Sequence, residues 1–287
     1  METNQASLTA RSTAMSRAAH QILDNPRLYD DPVAVKIIGA QNSSKISSTP
    51  DPYRSAYATH LRAFLVARCQ YAEQALADAL QHGARQLVIL GAGLDTFAYR
   101  NPYPPELLQI FEVDHPATQA WKRERLAAAG IPIPESLRFA TLDFEKDSLT
   151  DQLPQSGFKT DLPAFFSWLG VTMYLPAETV ISTLKAIANL SAPGSEIVFD
   201  YALTPDLLNP AHQASFQNRA ARVAAASEPW ISAFKPEQLA SELNQAGFTL
   251  LEDLGPNELN ARFFKNRTDA LRVAGHAHLI RIRTSQG

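Results

Sequence analysis

The sequence predicts an α/β fold built on a mostly parallel sheet with helices on both faces, and three observations carry the prediction. Seven apolar runs of five to seven residues recur along the chain. Segments of helical period separate most of them. The first run stops at a pair of glycines, as a buried parallel strand stops at a tight turn. Strands that alternate with helices imply a sheet covered on both sides, with right-handed crossovers.

The elements follow in order. Residues 12–39 read as short helices broken at Asn25-Pro26 and Asp31-Pro32, because a proline biases the residue before it away from the helical region. Gln41 to Tyr53 holds five serines or threonines and two prolines, which predicts a polar, mobile loop suited to a lid. Residues 1–56 are thus expected to form a helical lid segment, with the main domain over 57–287. Tyr57 to His82 carries Leu61, Phe64, Leu65, Arg68, Tyr71, Ala72, Ala75, Leu76 and Ala79 near helical spacing and ends at His82-Gly83. The period then changes. Gln86–Leu90 is the first strand, and similar runs follow at Leu108–Val113, Leu137–Leu142, Ala164–Trp168, Ser195–Tyr201, Phe248–Leu254 and His278–Arg283. Helical patterns cover Pro116–Ala129, Ala177–Leu190 and Pro236–Ala246. The last two strands follow each other without a clear helix between them, so one of them is expected to run antiparallel at or near the sheet edge. Thr204 to Glu228 is an alanine-rich helical pattern inside an insertion over 204–235, expected above the mouth of the site.

Composition excludes several classes. The 287 residues carry 26 basic and 29 acidic side chains, a formal net charge of -3, with no run of five like charges. That is not the footprint of a nucleic-acid or membrane-surface partner. A single cysteine, Cys69, has no intramolecular partner, which suits a reducing compartment. Neither a signal-peptide core near Met1–His20 nor any ~18-residue apolar run is present, so a cytoplasmic location is expected. The seven histidines are scattered, and no Cys-x-x-Cys or His-Glu-x-x-His spacing occurs, so no metal site is expected.

In doubly wound sheets ligands bind beyond the carboxyl ends of the strands, where strand order reverses. The first strand ends in Leu90-Gly91-Ala92-Gly93-Leu94-Asp95-Thr96, whose glycines let backbone lie directly against a ligand. A dinucleotide fingerprint would need a third glycine at Thr96. The second strand ends in Phe111-Glu112-Val113-Asp114, about twenty residues on, where a carboxylate accepts from both hydroxyls of a ribose. Asp114 and Glu112 share a strand face, so either fits; Asp114 also fits as a cap for the helix after His115-Pro116. The third strand ends in Leu142-Asp143-Phe144, a carboxylate and an apolar ring that suit the amine and face of an adenine, or else a capping aspartate and a core phenylalanine. The fourth runs into Trp168-Leu169-Gly170-Val171-Thr172-Met173-Tyr174-Leu175, where Gly170 leaves space and Tyr174 presents a hydroxyl, unless these aromatics are core.

These motifs together resemble the leucine carboxyl methyltransferase-like family, specifically its bacterial branch of S-adenosylmethionine-dependent methyltransferases. The resemblance rests on Leu90 to Thr96, Phe111-Glu112-Val113-Asp114-His115-Pro116, Trp121-Lys122-Arg123, Gly170 to Leu175, and Gly194-Ser195-Glu196-Ile197-Val198-Phe199-Asp200-Tyr201. It covers Arg11 to Arg283. It implies a Rossmann-like class I methyltransferase fold, a seven-stranded sheet with an added helical cover, and S-adenosyl-L-methionine as cofactor. By that resemblance Gly91 and Gly93 face the methionine part, Asp114 holds the ribose, Asp143 with Phe144 frames the adenine, and Asp95 belongs to the same cofactor-binding set. Arg68 matches a family arginine that pairs with the cofactor carboxylate, which a bidentate guanidinium suits, and Arg17 aligns with a second basic residue. Many relatives carry a glutamate where this chain has Leu169.

Methyl transfer from a sulfonium is an in-line displacement in which positioning and exclusion of water carry the catalysis. A carboxylate acceptor is already ionised at neutral pH and needs no base, whereas a hydroxyl does. Tyr174, Tyr201, His115 and His212 are the candidate catalytic residues. The expected acceptor is a small molecule carrying a carboxylate or hydroxyl. The competing readings are a nicotinamide-dependent oxidoreductase, which lacks its third glycine here, and a non-catalytic protein that binds the cofactor.

Overall fold

In the computed structural model, which describes residues 7–144, 146–208, 210–225 and 229–285, the seven apolar runs pair into one sheet. The strands are β1 (Gln86–Leu90), β2 (Gln109–Asp114), β3 (Leu137–Thr141), β4 (Ala164–Trp168), β5 (Glu196–Ala202), β6 (Phe248–Leu254) and β7 (Ala277–Thr284). Their order is β3-β2-β1-β4-β5-β7-β6. Strands β1 to β5 pair in parallel, and β7 runs antiparallel to both of its neighbours. Strand order reverses between β1 and β4, so a crevice opens there beyond the strand ends.

The helices are α1 (Leu8–Leu23), α2 (Pro32–Ile37), α3 (Ala40–Ser48), α4 (Asp51–Arg54), α5 (Ala56–Gln81), α6 (Pro116–Ala128), α7 (Leu149–Gln155), α8 (Ala177–Leu190), α9 (Pro210–Ala225), α10 (Pro236–Gln245) and α11 (Pro256–Phe263). Side chains alternate across β1 as a pleated strand requires. Val88 and Leu90 pack with Leu153 of α7, Val180 and Leu184 of α8 and Leu239 of α10. Leu87 and Ile89 face the other way, against Tyr71, Ala75 and Leu76 of α5 and Leu259 of α11. Each such aliphatic side chain contributes about 1.5–3 kcal/mol when fully buried.

The antiparallel strand is not the outermost one. Opposite each other in the β5–β7 pair stand Glu196 and Arg283. Glu196, 1% exposed, accepts from Arg281 Nε at 2.6 Å and Arg283 Nη2 at 2.7 Å. A one-residue slip would turn both arginines to the other face, so the cluster pins the register. Between β6 and β7 lies α11, which the sequence pattern did not reveal. Its eight residues are too few to establish a period, and the same holds for the seven residues of α7.

The expected loop at 41–53 is helical instead, forming α3 and most of α4. Ile46 is fully buried with Ala14, Ala18, Ile37, Leu94 and Leu126. Asn42 donates from its side chain to the Ile38 carbonyl at 2.7 Å, and Ser43 and Ser47 bond back to carbonyls one turn earlier. One apolar anchor and local side-chain bonds thus hold a polar segment in place. Within α9 the side chain of His212 lies outside the described residues.

Candidate active site

A cavity of about 460 Å³ lies over the strand ends from β3 across to β7, within the size range of small-molecule sites. Its floor begins at the glycine turn. Gly91 and Gly93 have φ of +65° and +47°, the left-handed region open to glycine at no steric cost. A side chain on Gly91 would collide with Val171 of the β4 turn. After Gly93 no helix begins. The chain passes instead into a 3₁₀ turn at Phe97–Tyr99, whose first amide is held by Asp95 Oδ1 at 2.8 Å. Thr96 is fully buried and donates to Asp31 Oδ2 at 2.7 Å. A nicotinamide dinucleotide rests its pyrophosphate on a helix N-terminus at this point, and this chain offers none.

Asp114 closes β2 with its carboxylate at the cavity. Its Oδ2 accepts from the Gly93 amide at 2.5 Å and its Oδ1 from the His115 amide at 2.7 Å. Burial pushes this carboxyl above the ordinary range, and the two amides oppose the shift. Each oxygen keeps a second lone pair for a hydroxyl. Glu112 does not line the cavity. It sits two residues deeper in the strand, fully buried, with Lys122 Nζ of α6 at 2.6 Å. His115 caps α6 by accepting the Ala117 amide on Nδ1 at 3.2 Å, which assigns the proton of a neutral ring to Nε2. The ring lines the cavity.

At the end of β3, Leu142, Asp143 and Phe144 line the same cavity. Phe144 stacks on Trp168 with centroids 6.1 Å apart and planes 22° apart. Asp143 Oδ2 pairs with Lys146 Nζ at 2.8 Å.

Two buried arginines enter from the helices. Arg68 of α5 donates from Nη1 to Asp200 Oδ2 at 2.7 Å, and Asp200 Oδ1 accepts the Gly170 amide at 2.5 Å. Arg17 of α1 bonds the Leu94 carbonyl and lies 3.8 Å from Asp95 Oδ2. The Nε atoms of Arg17 and Arg68 are both buried with no hydrogen-bond partner. Two guanidinium groups lining the cavity suit the carboxylate of an amino acid, and Asp114 suits a ribose. By these observations the residues fit S-adenosylmethionine.

Leu169, Met173 and Tyr174 line the cavity, the last two from the 3₁₀ turn Thr172–Tyr174. Tyr201 does not. Neighbours on a strand point to opposite faces, so Asp200 turns to the cavity while Tyr201 is fully buried in the core, donating to Asp253 Oδ2 at 2.6 Å. A catalytic part for Tyr201 is thereby corrected to a structural one. Sequence reasoning assigned no part to Asp200, Trp230 or His276, all at the cavity. For Asp200 the signal was an acid inside the apolar run of β5, since a buried charge needs a partner. Trp230 and His276 stand in irregular segments without a pattern to read.

Comparison with known proteins bears on the same residues. The model of the family described as leucine carboxyl methyltransferase matches residues 10–188. A Bacillus subtilis protein named "Putative S-adenosyl-L-methionine-dependent methyltransferase YktD" is 35% identical over 98% of both chains. A Parafrankia protein named as a methyltransferase of the same kind is 34% identical over 68% of this chain and 62% of its own. Among solved structures, a Thermobifida fusca protein titled as a methyltransferase superposes with a TM-score of 0.58 at 16% identity, covering 94% of each chain, a likeness of fold alone. The glycine turn, Asp114 and the β4 turn all fall inside the matched segment, and the chain belongs to the leucine carboxyl methyltransferase family.

Proposed function

We propose that this chain transfers a methyl group from S-adenosylmethionine to an oxygen, carboxylate or hydroxyl, of a small-molecule acceptor. Dependence on S-adenosylmethionine follows from family membership and the names of its relatives. The single observation that carries the reading is one cavity that gathers Gly91, Gly93, Asp114, Asp143, Phe144, Arg17 and Arg68 from five separate elements.

When bound, the cofactor supplies a methyl already activated on sulfur. The chain's own residues then have positioning to do. Arg68 and Arg17 hold the carboxylate end, Asp114 the ribose hydroxyls, and Asp143 with Phe144 the adenine. Asp200 keeps Arg68 in place through its 2.7 Å bond. Residues 7–17 of the N-terminal segment line the cavity beside the glycine turn. Together with Pro229, Trp230 and Ile231 of the insertion they form the cover that keeps water from the transfer.

The test is thermal denaturation with S-adenosylhomocysteine and, separately, with NAD. S-adenosylhomocysteine at about 100 times its dissociation constant stabilises by ~2.7 kcal/mol, and NAD gives no shift. A shift with NAD alone refutes the reading. Incubation with methyl-labelled cofactor and a panel of hydroxyl, carboxylate and amine compounds tests the acceptor atom. Label confined to amines would overturn oxygen transfer.

A further inference from the structure

Charge is divided unevenly along the cavity wall. Sheet order sets the geometry: β3, β2 and β1 lie on one side, then β4, β5 and β7, each step about 4.8 Å. Asp143, Asp114, Asp95 and Arg17 belong to the first side. On the second side, beyond the Arg68–Asp200 pair, the wall is made by Met173, Ala202, Trp230, Ile231, His276 and Ala277. Facing it from α5 are Tyr57, Leu61 and Phe64, one stripe at helical spacing. Among the described residues this end holds no lysine and no arginine other than Arg68, which Asp200 already engages.

Its rings are set at angles to one another. His276, 2% exposed, meets Phe216 of α9 edge-on, with centroids 4.7 Å apart and planes at 71°. Trp230 lies 5.4 Å from both Phe216 and His276. The segment carrying Trp230 is tied down, since the Ile231 amide donates to the Met173 carbonyl at 2.7 Å and Ser232 Oγ to the Thr172 carbonyl at 2.9 Å. Edge-to-face rings with a fixed backbone form a corner of defined shape, and such a corner favours a flat π-system over a saturated one.

Building on the methyltransferase reading, we propose that the acceptor is a flat aromatic compound whose hydroxyl is methylated, seated against Trp230, with His276 taking the hydroxyl proton. Lack of a free cation at this end disfavours a carboxylate, which would be buried without a counter-charge. In the transfer the acceptor's oxygen–carbon bond forms as the sulfur–carbon bond breaks. The bonding pair stays on sulfur, leaving neutral S-adenosylhomocysteine and a methyl ether. The proton moves to the His276 imidazole and from there to water.

The experiment uses the whole chain saturated with S-adenosylhomocysteine and three probes: 1-naphthol, 1-naphthoic acid and the saturated alcohol 1-decalol. Calorimetry should show naphthol binding at least about tenfold more tightly than either of the others. Trp230→Leu should weaken naphthol about three- to tenfold, the range of one aromatic pair, while S-adenosylhomocysteine affinity stays unchanged. Equal affinity for the three probes, no naphthol binding, or an unaffected Trp230→Leu each overturns the aromatic subsite. With labelled cofactor, His276→Gln should lower kcat for naphthol at least tenfold with little change in KM; unchanged kcat removes His276 as the proton acceptor. Failure of the wild-type chain to bind S-adenosylhomocysteine would instead overturn the methyltransferase reading and this proposal with it.

Discussion

Replacing Gly170 by alanine probes how rigidly the β4 turn and the Arg68–Asp200 pair are joined. Gly170 has a φ of +76°, where an L side chain costs roughly 1–2 kcal/mol. A Cβ there would stand 2.7 Å from Arg68 Nη2 and 2.9 Å from Nη1, too close for unbonded carbon and nitrogen. Arg68 and Asp200 are 6% and 0% exposed, so the guanidinium gives way only by lengthening its 2.7 Å bond to Asp200. Weakening a hydrogen bond between buried charges costs about 1.5–3 kcal/mol. Gly194 supplies the control, with a φ of +83° and nothing within 4 Å of its Cβ, so Gly194→Ala carries the backbone strain alone. At roughly 2 °C per kcal/mol for a chain of this size, Gly170→Ala should melt about 3–6 °C below Gly194→Ala. Calorimetry should also show S-adenosylhomocysteine bound at least about tenfold more weakly by Gly170→Ala, and as in wild type by Gly194→Ala. Equal melting temperatures and equal affinities in the two variants would refute the reasoning, because Arg68 would then have moved aside without cost.

Two carboxylates on one strand face should separate cleanly. Asp114→Ala should lower S-adenosylhomocysteine affinity by roughly 1.5–3 kcal/mol, the worth of hydrogen bonds to a charged group. Glu112→Ala should leave affinity intact but destabilise the chain by about 3–5 kcal/mol, because Lys122, 1% exposed, is left as an uncompensated buried charge. Denaturant melts and calorimetry on both variants check this, and the opposite pattern would assign the ribose to Glu112. Burial pushes the Cys69 thiol up to about 12, so a thiol-reactive chromophore at pH 8 should not label the native chain until denaturant is added. Rapid labelling of folded protein would contradict the buried position.

The strand ends were legible in the sequence because their chemistry is local. Gly91 and Gly93 need only the left-handed φ that glycine tolerates, and Asp114 follows at the strand end that alternation and length define. Apolar runs marked all seven strands, and each strand of the structure differs by no more than one residue from its run at either end. Segment 41–53 misled because polar composition stood for mobility, whereas a single buried Ile46 holds α3 to the core. Tyr201 misled because nearness to a strand end was read without its parity, which sends Asp200 to the cavity and Tyr201 to the interior.

By itself, then, the sequence determined the α/β class, the glycine turn, the acidic strand ends and the family, all of which rest on residue type and spacing over a few tens of residues. Tertiary structure alone decided which carboxylate faces the cavity, that Arg68 meets Asp200 across 132 positions, and that β7 inserts between β5 and β6. It also brought His276 and Trp230 to the cavity with Phe216 behind them. The physical reason is that periodicity reports which face of an element is apolar, while the partner that a buried polar group finds depends on packing between elements distant in the chain. No pattern along one strand encodes that partner, because a charge is buried only where another element supplies its counter-charge.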